Sequence, residues 1–397
     1  MNGLRRRLAW CGINLVYLLF SLAAIEVGVR VTHSEPDQFW EADPLLGWRL
    51  IPGQSGWRVK GREYQTYIEI SAQGYRDVPH AVQKPPGVLR VLVLGDSNAE
   101  AMQVPLEQSF PRLLEQELNR RLGMPVEVIN TGVSDYSTAS QLLLLRRDGA
   151  RFQPDLVLLT FVPSSNVMVN SPELERTLVP VYAPDGSLER VRPPFGKMGP
   201  LAHSKAYLYL RRLLLIEHPW FTAQLARLGL VKAGGAASSE RNHIPTRYYV
   251  YTPPDTTWQK AWTHTERLLD DLAKETQRIG AEFMVAIMSS REEVYRQWWE
   301  EEFDTYPNMR RLHWDLDAPR QRVATFCESK GIANLALVPI LRAVHDGEPL
   351  HFHFDGHLTP AGNRVVAQEL AEYILTHGLL HAAANGSLTA RNAVAQP

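Results

Sequence analysis

VLRVLVLGDSNAE, residues 88–100, is the stretch that decides the fold of this chain. Its apolar run Val91–Leu94 ends abruptly at Gly95, and a helical pattern follows. A short run of valine and leucine bounded by glycine predicts a strand buried on both faces, as in a parallel sheet. Functional residues of such sheets lie just beyond the carboxyl ends of the strands. Ser97 is at that point, where it is either a helix N-cap or a reactive hydroxyl.

Strands and helices alternate along the rest of the chain. Further strands are predicted at 126–129, 156–161, 283–288 and 333–338, and helices at 110–122, 138–149, 258–279, 320–330 and from Thr359-Pro360 onward. This spacing predicts right-handed βαβ units. The expected fold class is therefore α/β, a three-layer α/β/α (flavodoxin-like) arrangement with about five parallel strands.

Changes in composition divide the chain into four parts. They are a cytoplasmic tip and transmembrane anchor (1–30), a β-rich lead-in (31–87), the main domain (88–380) and a flexible tail (381–397). The main domain is interrupted at about 170–257 by a proline-containing insertion with a basic-apolar helical patch at 207–216 and a segment at 234–239 expected to be mobile. The insertion either forms one wall of a substrate cleft or is a surface elaboration.

The amino terminus has the pattern of a membrane anchor. Arg5, Arg6 and Arg7 precede the uncharged stretch Leu8–Ile25, about 18 residues long, close to the ~20 needed to cross a bilayer. The positive-inside rule keeps the arginines cytoplasmic and exports the rest of the chain. A cleaved signal peptide is the alternative, but no clean small-x-small site follows. We therefore expect an uncleaved single-pass anchor, with the body extracytoplasmic and, in a double-membrane bacterium, periplasmic.

Charge and cysteine content exclude several classes of protein. The net charge of −1 gives no indication of a nucleic-acid partner. Cys11 is in the anchor and Cys327 in the body, so no disulfide framework is expected. No zinc-type cysteine spacing occurs, and no cofactor or metal is predicted.

Polar residues follow several of the predicted strands. Gly132 comes after the second strand, Asn166 after the third, and Asp355 and His357 just before the last helix. These positions and Ser97 all lie at or beyond carboxyl ends of strands, so we expect them to converge on one rim of the sheet.

These blocks resemble the SGNH (GDSL-type) hydrolase family. The matching sequences are Gly95-Asp96-Ser97-Asn98, Asn130-Thr131-Gly132-Val133 and the segment DGHLTPAG at 355–362. The third block of the family usually reads Gly-x-Asn-Asp, whereas this chain has Ser164-Ser165-Asn166-Val167. Asn166 is retained, and Ser164 or Ser165 is an alternative donor there.

The resemblance extends over about residues 43–375. Gly74-Tyr75-Arg76-Asp77, Pro154-Asp155 and the Asp-Gly-His form of the last block are similar to membrane-anchored members associated with cell-surface polysaccharide, of the alginate-acetyltransferase kind. It implies an ester-acting hydrolase or acyltransferase whose substrate is an acylated carbohydrate or a small ester. A membrane protein that supplies the acyl group is a candidate partner, in addition to the lipid bilayer.

The chemistry of acyl transfer assigns a role to each residue. A serine hydroxyl needs a base to take its proton, so Ser97 is the expected nucleophile, His357 the base and Asp355 the group that orients the imidazole. The backbone N–H groups of Ser97 and Gly132 and the side-chain amide of Asn166 are the expected oxyanion donors.

Two other interpretations compete with this one. His351, His353, Asp355 and His357 alternate like ligands on one face of a strand, and the string resembles the His-x-His-x-Asp-His motif of metallo-β-lactamase-like hydrolases, but Gly356 shifts its register. The altered third block also leaves open a non-catalytic glycan-binding or assembly scaffold.

Overall fold

The computed structural model describes residues 2–32, 38–174, 181–182, 188–189, 204–212, 244–344 and 347–380. The strands are β1 (Trp40–Asp43), β2 (Gly47–Leu50), β3 (Ser55–Lys60), β4 (Tyr64–Glu69), β5 (Leu89–Leu94), β6 (Val126–Asn130), β7 (Leu156–Phe161), β8 (Val181–Tyr182), β9 (Leu188–Glu189), β10 (Glu282–Ile287) and β11 (Ala333–Ala336). The helices are α1 (Asn2–Thr32), α2 (Ser97–Glu100), α3 (Phe110–Leu122), α4 (Thr138–Arg147), α5 (Pro163–Val169), α6 (Lys205–Arg212), α7 (Thr256–Arg278), α8 (Arg291–Val294), α9 (Arg296–Thr305), α10 (Ala318–Ser329), α11 (Leu337–Val344) and α12 (Pro360–Thr376).

Five parallel strands form the central sheet, in the order β11-β10-β7-β5-β6. β5 lies between β6 and β7, with Val91 opposite Val128 and Leu92 opposite Val157. β5 and β7 are buried along their whole length, as the apolar runs predict. The predicted α/β class with about five parallel strands is confirmed, and the order in which the chain crosses the sheet is that of flavodoxin-like folds.

Two hydrophobic cores cover the two faces of the sheet. Leu92 and Leu94 of β5 belong to one core, together with apolar residues of α4, α7 and α10. Val91 and Val93 of the same strand belong to the other core, with α3, α11 and α12. This alternation is the two-residue period of a strand that is buried on both sides. It produces three layers and leaves the carboxyl ends of the strands open at one rim.

Gly95 allows the end of β5 to turn tightly at that rim. A Cβ atom built on Gly95 would lie 2.1 Å from Oγ1 of Thr160 in β7 and 2.6 Å from Cβ of Ala99 in α2. No side chain fits between these elements, so only glycine lets Ser97 begin a helix directly beyond the strand.

The lead-in consists of two antiparallel hairpins, β1–β2 and β3–β4. Its buried residues Leu46, Trp48 and Ile68 belong to the same core as the sheet. The guanidinium of Arg76, only 1% exposed, donates to the backbone carbonyls of Glu100 and Ala101, 2.8 and 2.6 Å away. The lead-in is therefore attached to the main domain next to Ser97.

The structure differs from the sequence-based expectations in several elements. The last strand ends at Ala336 rather than at residue 338, because α11 begins at Leu337. Helices α8 and α9 were not predicted. Helix α6 begins at Lys205, two residues before the helical patch expected at 207–216, and covers this patch as far as Arg212. Residues 213–216, the segment 234–239 and the tail 381–397 lie outside the described residues.

Candidate active site

Ser97 is the first residue of α2, directly after the turn that closes β5. The carboxylate of Asp96 caps this short helix by accepting from the backbone N–H of Asn98 at 3.0 Å. Ser97 is half-buried, while Asp96 in front of it and Ala99 behind it are buried. The hydroxyl is therefore held at the rim of the sheet by a buried, hydrogen-bonded turn.

His357 and Asp355 meet Ser97 from a loop 260 positions further along the chain. Nε2 of His357 lies 2.7 Å from Oγ of Ser97, and Nδ1 lies 2.5 Å from Oδ1 of Asp355. An ionised carboxylate can only accept, so Nδ1 carries the proton and Nε2 faces the serine hydroxyl as an acceptor. The structure thus brings together the three residues that the sequence predicts as nucleophile, base and orienting acid.

The second oxygen of Asp355 is bound by the lead-in. Lys60 Nζ and the hydroxyl of Tyr64 donate to Oδ2 at 2.9 and 3.1 Å. Burial opposes ionisation of Asp355, but hydrogen bonds from His357 and Lys60 and the electrostatic attraction of these two side chains hold its pKa well below the usual range. Burial and the charge of Asp355 in turn raise the pKa of the Tyr64 phenol, so this phenol remains a hydrogen-bond donor.

Glu63 fixes the backbone of the same loop. Its two carboxylate oxygens accept from the N–H groups of Phe354 and Asp355, both at 2.7 Å. The turn between β3 and β4 and the strands beside it therefore hold both the main chain and the side chain of Asp355.

Two cavities open on Ser97, and both are bordered by Ser97, Asp135, Asp355 and His357. The first, here called the lead-in cleft, has a volume of about 420 Å³. Its other walls are formed by Trp40, Trp48, Arg58, Glu100, Met102, Gln103 and Ser134. The second, the insertion-side cleft, has a volume of about 480 Å³, and Arg247, Tyr248 and Tyr251 from the end of the insertion line it.

Gly132 and Asn166, the other predicted oxyanion donors, are engaged elsewhere in this structure. The N–H of Gly132 donates to Oδ1 of Asn130 at 3.0 Å. The side-chain amide of Asn166 donates to Oδ2 of Asp96 at 3.3 Å, and its oxygen accepts from the N–H of Val162. Among the described residues, those that line the two clefts include Asp135, Ser164 and Ser165 but neither Gly132 nor Asn166. The oxyanion role of these two residues stays a prediction.

Several residues at the site were not predicted from the sequence. Asp135 borders both clefts and has a positive φ of 61°, a conformation that aspartate tolerates better than most residues. Its position two residues before the N-cap Ser137 is a turn signal that could have drawn attention to it. For Lys60, Glu63 and Tyr64 the sequence holds no local signal, because their partners lie about 290 positions away.

The histidines considered as metal ligands point to different partners. Nε2 of His351 lies 3.0 Å from the hydroxyl of Ser289, and burial lowers the pKa of this imidazole to about 3. His353 is 3.5 Å from a carboxylate oxygen of Glu301. Within the described part of the chain, no group of three or more histidine, cysteine, aspartate or glutamate side chains is placed to hold a metal ion.

A hydrogen-bonded serine, histidine and aspartate at the open rim of a five-stranded parallel sheet define an α/β protein of the serine hydrolase type. The comparison with protein families is more specific. Residues 249–397 match the family described as "SGNH hydrolase-like domain, acetyltransferase AlgX". This part of the chain is therefore similar to SGNH hydrolase-like acetyltransferases, and the similarity supports an ester-acting hydrolase or acetyltransferase. The matched segment contains Asp355 and His357 but not Ser97.

One curated relative and several solved structures are also similar. An arylesterase from Vibrio mimicus is 40% identical over 70 residues, which are 18% of this chain and 34% of the relative. The chain thus matches about a third of that protein's length. A G-D-S-L family lipolytic protein from Desulfitobacterium hafniense has 10% identity and a TM-score of 0.37, covering 72% of this chain and 98% of its own. The acetyl-xylooligosaccharide esterase Axe2 from Geobacillus has 12% identity and a TM-score of 0.38, covering 72% and 94%.

Proposed function

We propose that this chain is a membrane-anchored, extracytoplasmic serine esterase (O-deacetylase) or O-acyltransferase that acts through an acyl-Ser97 intermediate. The observation that carries the proposal is the continuous hydrogen-bonded chain from Ser97 through His357 to Asp355. The family match supports ester chemistry in particular.

In the proposed mechanism, Oγ of Ser97 attacks the ester carbonyl while Nε2 of His357 takes its proton. The imidazolium that forms is stabilised by Asp355, and it then protonates the departing alcohol. The backbone N–H of Ser97 is at the amino-terminal turn of α2, where amides have no acceptor within the helix, so it can donate to the oxyanion. Gly132 and Asn166 can contribute only if they exchange their present partners, Asn130 and Asp96.

Hydrolysis and transfer use the same residues and differ in what attacks acyl-Ser97. Water gives an esterase, and a sugar hydroxyl gives an O-acyltransferase. We propose an acylated glycan or related ester as the substrate, because the family model is that of an acetyltransferase and the chain carries an apolar amino-terminal helix. A membrane protein that delivers the acyl group is a candidate partner.

The proposed anchor is α1. Its segment Gly12–Thr32 has a mean hydropathy of 1.8 and is only 6% buried within the protein, so its apolar surface needs a non-aqueous surrounding. The carboxylate of Glu26 in this helix accepts from the Ser204 hydroxyl and the N–H of Ala206, at the start of α6. An uncleaved anchor keeps this contact.

Labelling with a fluorophosphonate probe tests the proposal, together with turnover of p-nitrophenyl acetate. We expect wild type to be labelled and active, and Ser97→Ala to lose labelling and about 10³-fold or more of its activity. Ser329→Ala, a change at an exposed hydroxyl on α10, is the matched control. A wild-type protein that resists labelling would favour the scaffold. Activity that survives Ser97→Ala and is lost with a chelator would favour the metal-dependent hydrolase.

A further inference from the structure

A third cavity lies where the lead-in meets α4, and the proposed reaction does not use it. Its volume is about 430 Å³, which is within the range of sites that bind small molecules. Leu46 and Tyr75 line it from the lead-in, and Arg147 and Arg151 line it from α4 and the helical turn that follows. It shares no described lining residue with the two catalytic clefts. We call it the Arg151 cavity.

One part of the cavity wall is apolar. The apolar and aromatic side chains beside Tyr75 are those of Leu46, Val82, Val133, Tyr136, Leu144 and Phe152. Burial of an apolar or aromatic group of a ligand against this wall would be favourable, because it removes apolar surface from water on both sides.

The cavity also holds one positive charge that is not paired. Two of its three arginines are bound by carboxylates, namely Arg49 by Glu41 at 2.8 Å and Arg147 by Asp43 and Asp148 at 2.7 and 2.8 Å. The guanidinium of the third, Arg151, is exposed and forms neither an ion pair nor a hydrogen bond with any described residue. A ligand with a single negative charge would balance Arg151 without displacing an existing pair.

The phenol of Tyr75 supplies a hydrogen-bond donor next to this charge. Only 8% of Tyr75 is exposed, and its hydroxyl has no hydrogen-bond partner among the described residues. The hydroxyl keeps exposed surface, so a molecule in the cavity can reach it. Burial and the charge of Asp148 raise the pKa of this phenol, against the charges of Arg147 and Arg151. The phenol therefore keeps its proton at neutral pH and can donate it to an anion.

We propose that the Arg151 cavity binds a small monocarboxylate with an apolar or aromatic body. The carboxylate pairs with the guanidinium of Arg151 and accepts from the hydroxyl of Tyr75, and the body lies against the apolar wall. A carboxylate has two oxygens, so it can accept from both donors at once. A neutral alcohol would leave Arg151 unpaired, and an amine would be repelled by it.

A single loop separates the Arg151 cavity from the lead-in cleft. Val133 and Tyr136 line the cavity, whereas Ser134 and Asp135 line the cleft. An occupant of the cavity would contact this loop without entering the clefts at Ser97. Binding in the cavity is therefore independent of the proposed reaction.

The test is calorimetric titration of the full chain in lipid nanodiscs, with empty nanodiscs as the blank. The probes are phenylacetate and its neutral and cationic counterparts, phenylethanol and phenethylamine. We expect phenylacetate to bind, and the two counterparts to bind about tenfold more weakly or not at all. Arg151→Gln and Tyr75→Phe should each weaken the binding of phenylacetate about tenfold, because each removes a hydrogen bond to a charged group.

Each variant has a matched control. Arg311→Gln replaces another exposed arginine of a helical turn, outside the cavity, and Tyr67→Phe removes a hydroxyl that bonds to Ser55. We expect both controls to bind phenylacetate as wild type does. Arg151→Lys keeps the charge and loses the planar fork, so it should bind with an affinity between those of wild type and Arg151→Gln.

The proposal is overturned if phenylacetate does not bind, if phenylethanol binds as tightly, or if folded Arg151→Gln binds phenylacetate as tightly as wild type. Binding at Ser97 instead of the cavity would be lost once a fluorophosphonate adduct fills the clefts, and Arg151→Gln would leave it unchanged. A wild-type protein that resists labelling but binds phenylacetate through Arg151 would count against the catalytic proposal alone.

Discussion

At the scale of single residues, Asp355 has both carboxylate oxygens engaged: Oδ1 with His357 and Oδ2 with Lys60 and Tyr64. Asp355→Asn would offer an amide N–H to Nδ1 of His357 and move the imidazole proton to Nε2, where it can no longer accept from Ser97. We expect kcat for p-nitrophenyl acetate to fall about 10³–10⁴-fold, as for the equivalent change in serine proteases, with KM nearly unchanged.

Asp304→Asn is the control for this change. Asp304 is a surface aspartate, 82% exposed and paired with Arg310, and we expect its replacement to leave kcat within about twofold, since exposed ion pairs contribute little. A loss of less than tenfold in Asp355→Asn would show that Asp355 does not set the tautomer of His357.

Glu100 makes the stability of the protein depend on pH. Burial raises the pKa of this carboxyl to about 7, against hydrogen bonds from Ser134 and Trp40 that lower it. Between about pH 4.5 and 7 the folded state therefore holds a proton that the unfolded state has lost, so the free energy of unfolding falls as pH rises. Each unit of pKa difference corresponds to about 1.4 kcal/mol.

We expect Glu100→Gln to remove this contribution, so its free energy of unfolding in urea should fall less between pH 5 and pH 8 than that of wild type. Glu300→Gln, an exposed change on α9, should keep the wild-type slope. Identical slopes for wild type and Glu100→Gln would mean that Glu100 titrates as an exposed carboxyl does.

The sequence motifs predicted which residues come together at the candidate site, but not how all of their side chains are oriented. Ser97, Asp355 and His357 could be predicted because each lies just beyond a strand or before a helix, where a parallel sheet collects functional groups. The orientation of the Asn166 side chain could not be predicted. Its amide N–H donates to the buried carboxylate of Asp96, and its oxygen accepts from the N–H of Val162. These contacts depend on the burial of the neighbouring groups, which the altered third block does not encode.

At the scale of elements, the hairpin β3–β4 contacts Asp355 rather than Ser97, so its effect on the proposed reaction would pass through Asp355. Tyr64→Phe removes one donor from Asp355, and a hydrogen bond to a charged group contributes about 1.5–3 kcal/mol. We expect kcat to fall by about tenfold with little change in KM. Lys60→Met removes a hydrogen-bond donor to Asp355 together with the positive charge next to it. We therefore expect the acidic limb of the plot of kcat against pH to move to higher pH.

Tyr67→Phe is the control within the same hairpin. Its hydroxyl bonds to Ser55 on the exposed side of the hairpin rather than to the loop of Asp355. A variant that merely loosens the hairpin would change stability and leave the pH profile in place. Equal effects of Tyr64→Phe and Tyr67→Phe on kcat would therefore contradict a positioning role.

Periodicity predicted the strands and the helices that cover the sheet, and it failed for helices α8 and α9. The face of α3 formed by Phe110, Leu114 and Leu118 is fully buried, as helical spacing predicts. Helices α8 and α9 follow β10 in a segment where glutamate, tryptophan and arginine mix without a continuous apolar stripe. The burial of Trp299 against Tyr248 and Tyr251 depends on a distant segment, which local pattern cannot supply.

At the scale of the whole molecule, the site is complete only when the lead-in packs on the sheet. Ser97 comes from β5–α2, His357 and Asp355 from the loop before α12, and the groups that hold Asp355 from the lead-in. The three-layer fold could be read from the order of strands and helices. The docking of the lead-in could not, because nothing in residues 60–64 specifies contact with residues 354–355.

Helix α1 determines where the molecule resides. The uncharged stretch Leu8–Ile25 of this helix has about 18 residues, about 27 Å at 1.5 Å per residue, which is close to a hydrocarbon core of about 30 Å. Glu26, which contacts α6, follows directly after it. Apolar side chains of α1 are exposed, Phe20 by 73% and Val31 by 72%. Contact between so much apolar surface and water is unfavourable. With Arg5, Arg6 and Arg7 cytoplasmic, the carboxyl terminus should be exported.

We expect a chain tagged at both ends to remain in bacterial membranes after a carbonate wash and to leave them in detergent, with both tags on one band. Alkaline phosphatase fused after Pro397 should be active, because this reporter folds only after export. A shorter band in the soluble fraction that lacks the amino-terminal tag would identify a cleaved signal peptide. An inactive phosphatase fusion would place the catalytic rim in the cytoplasm.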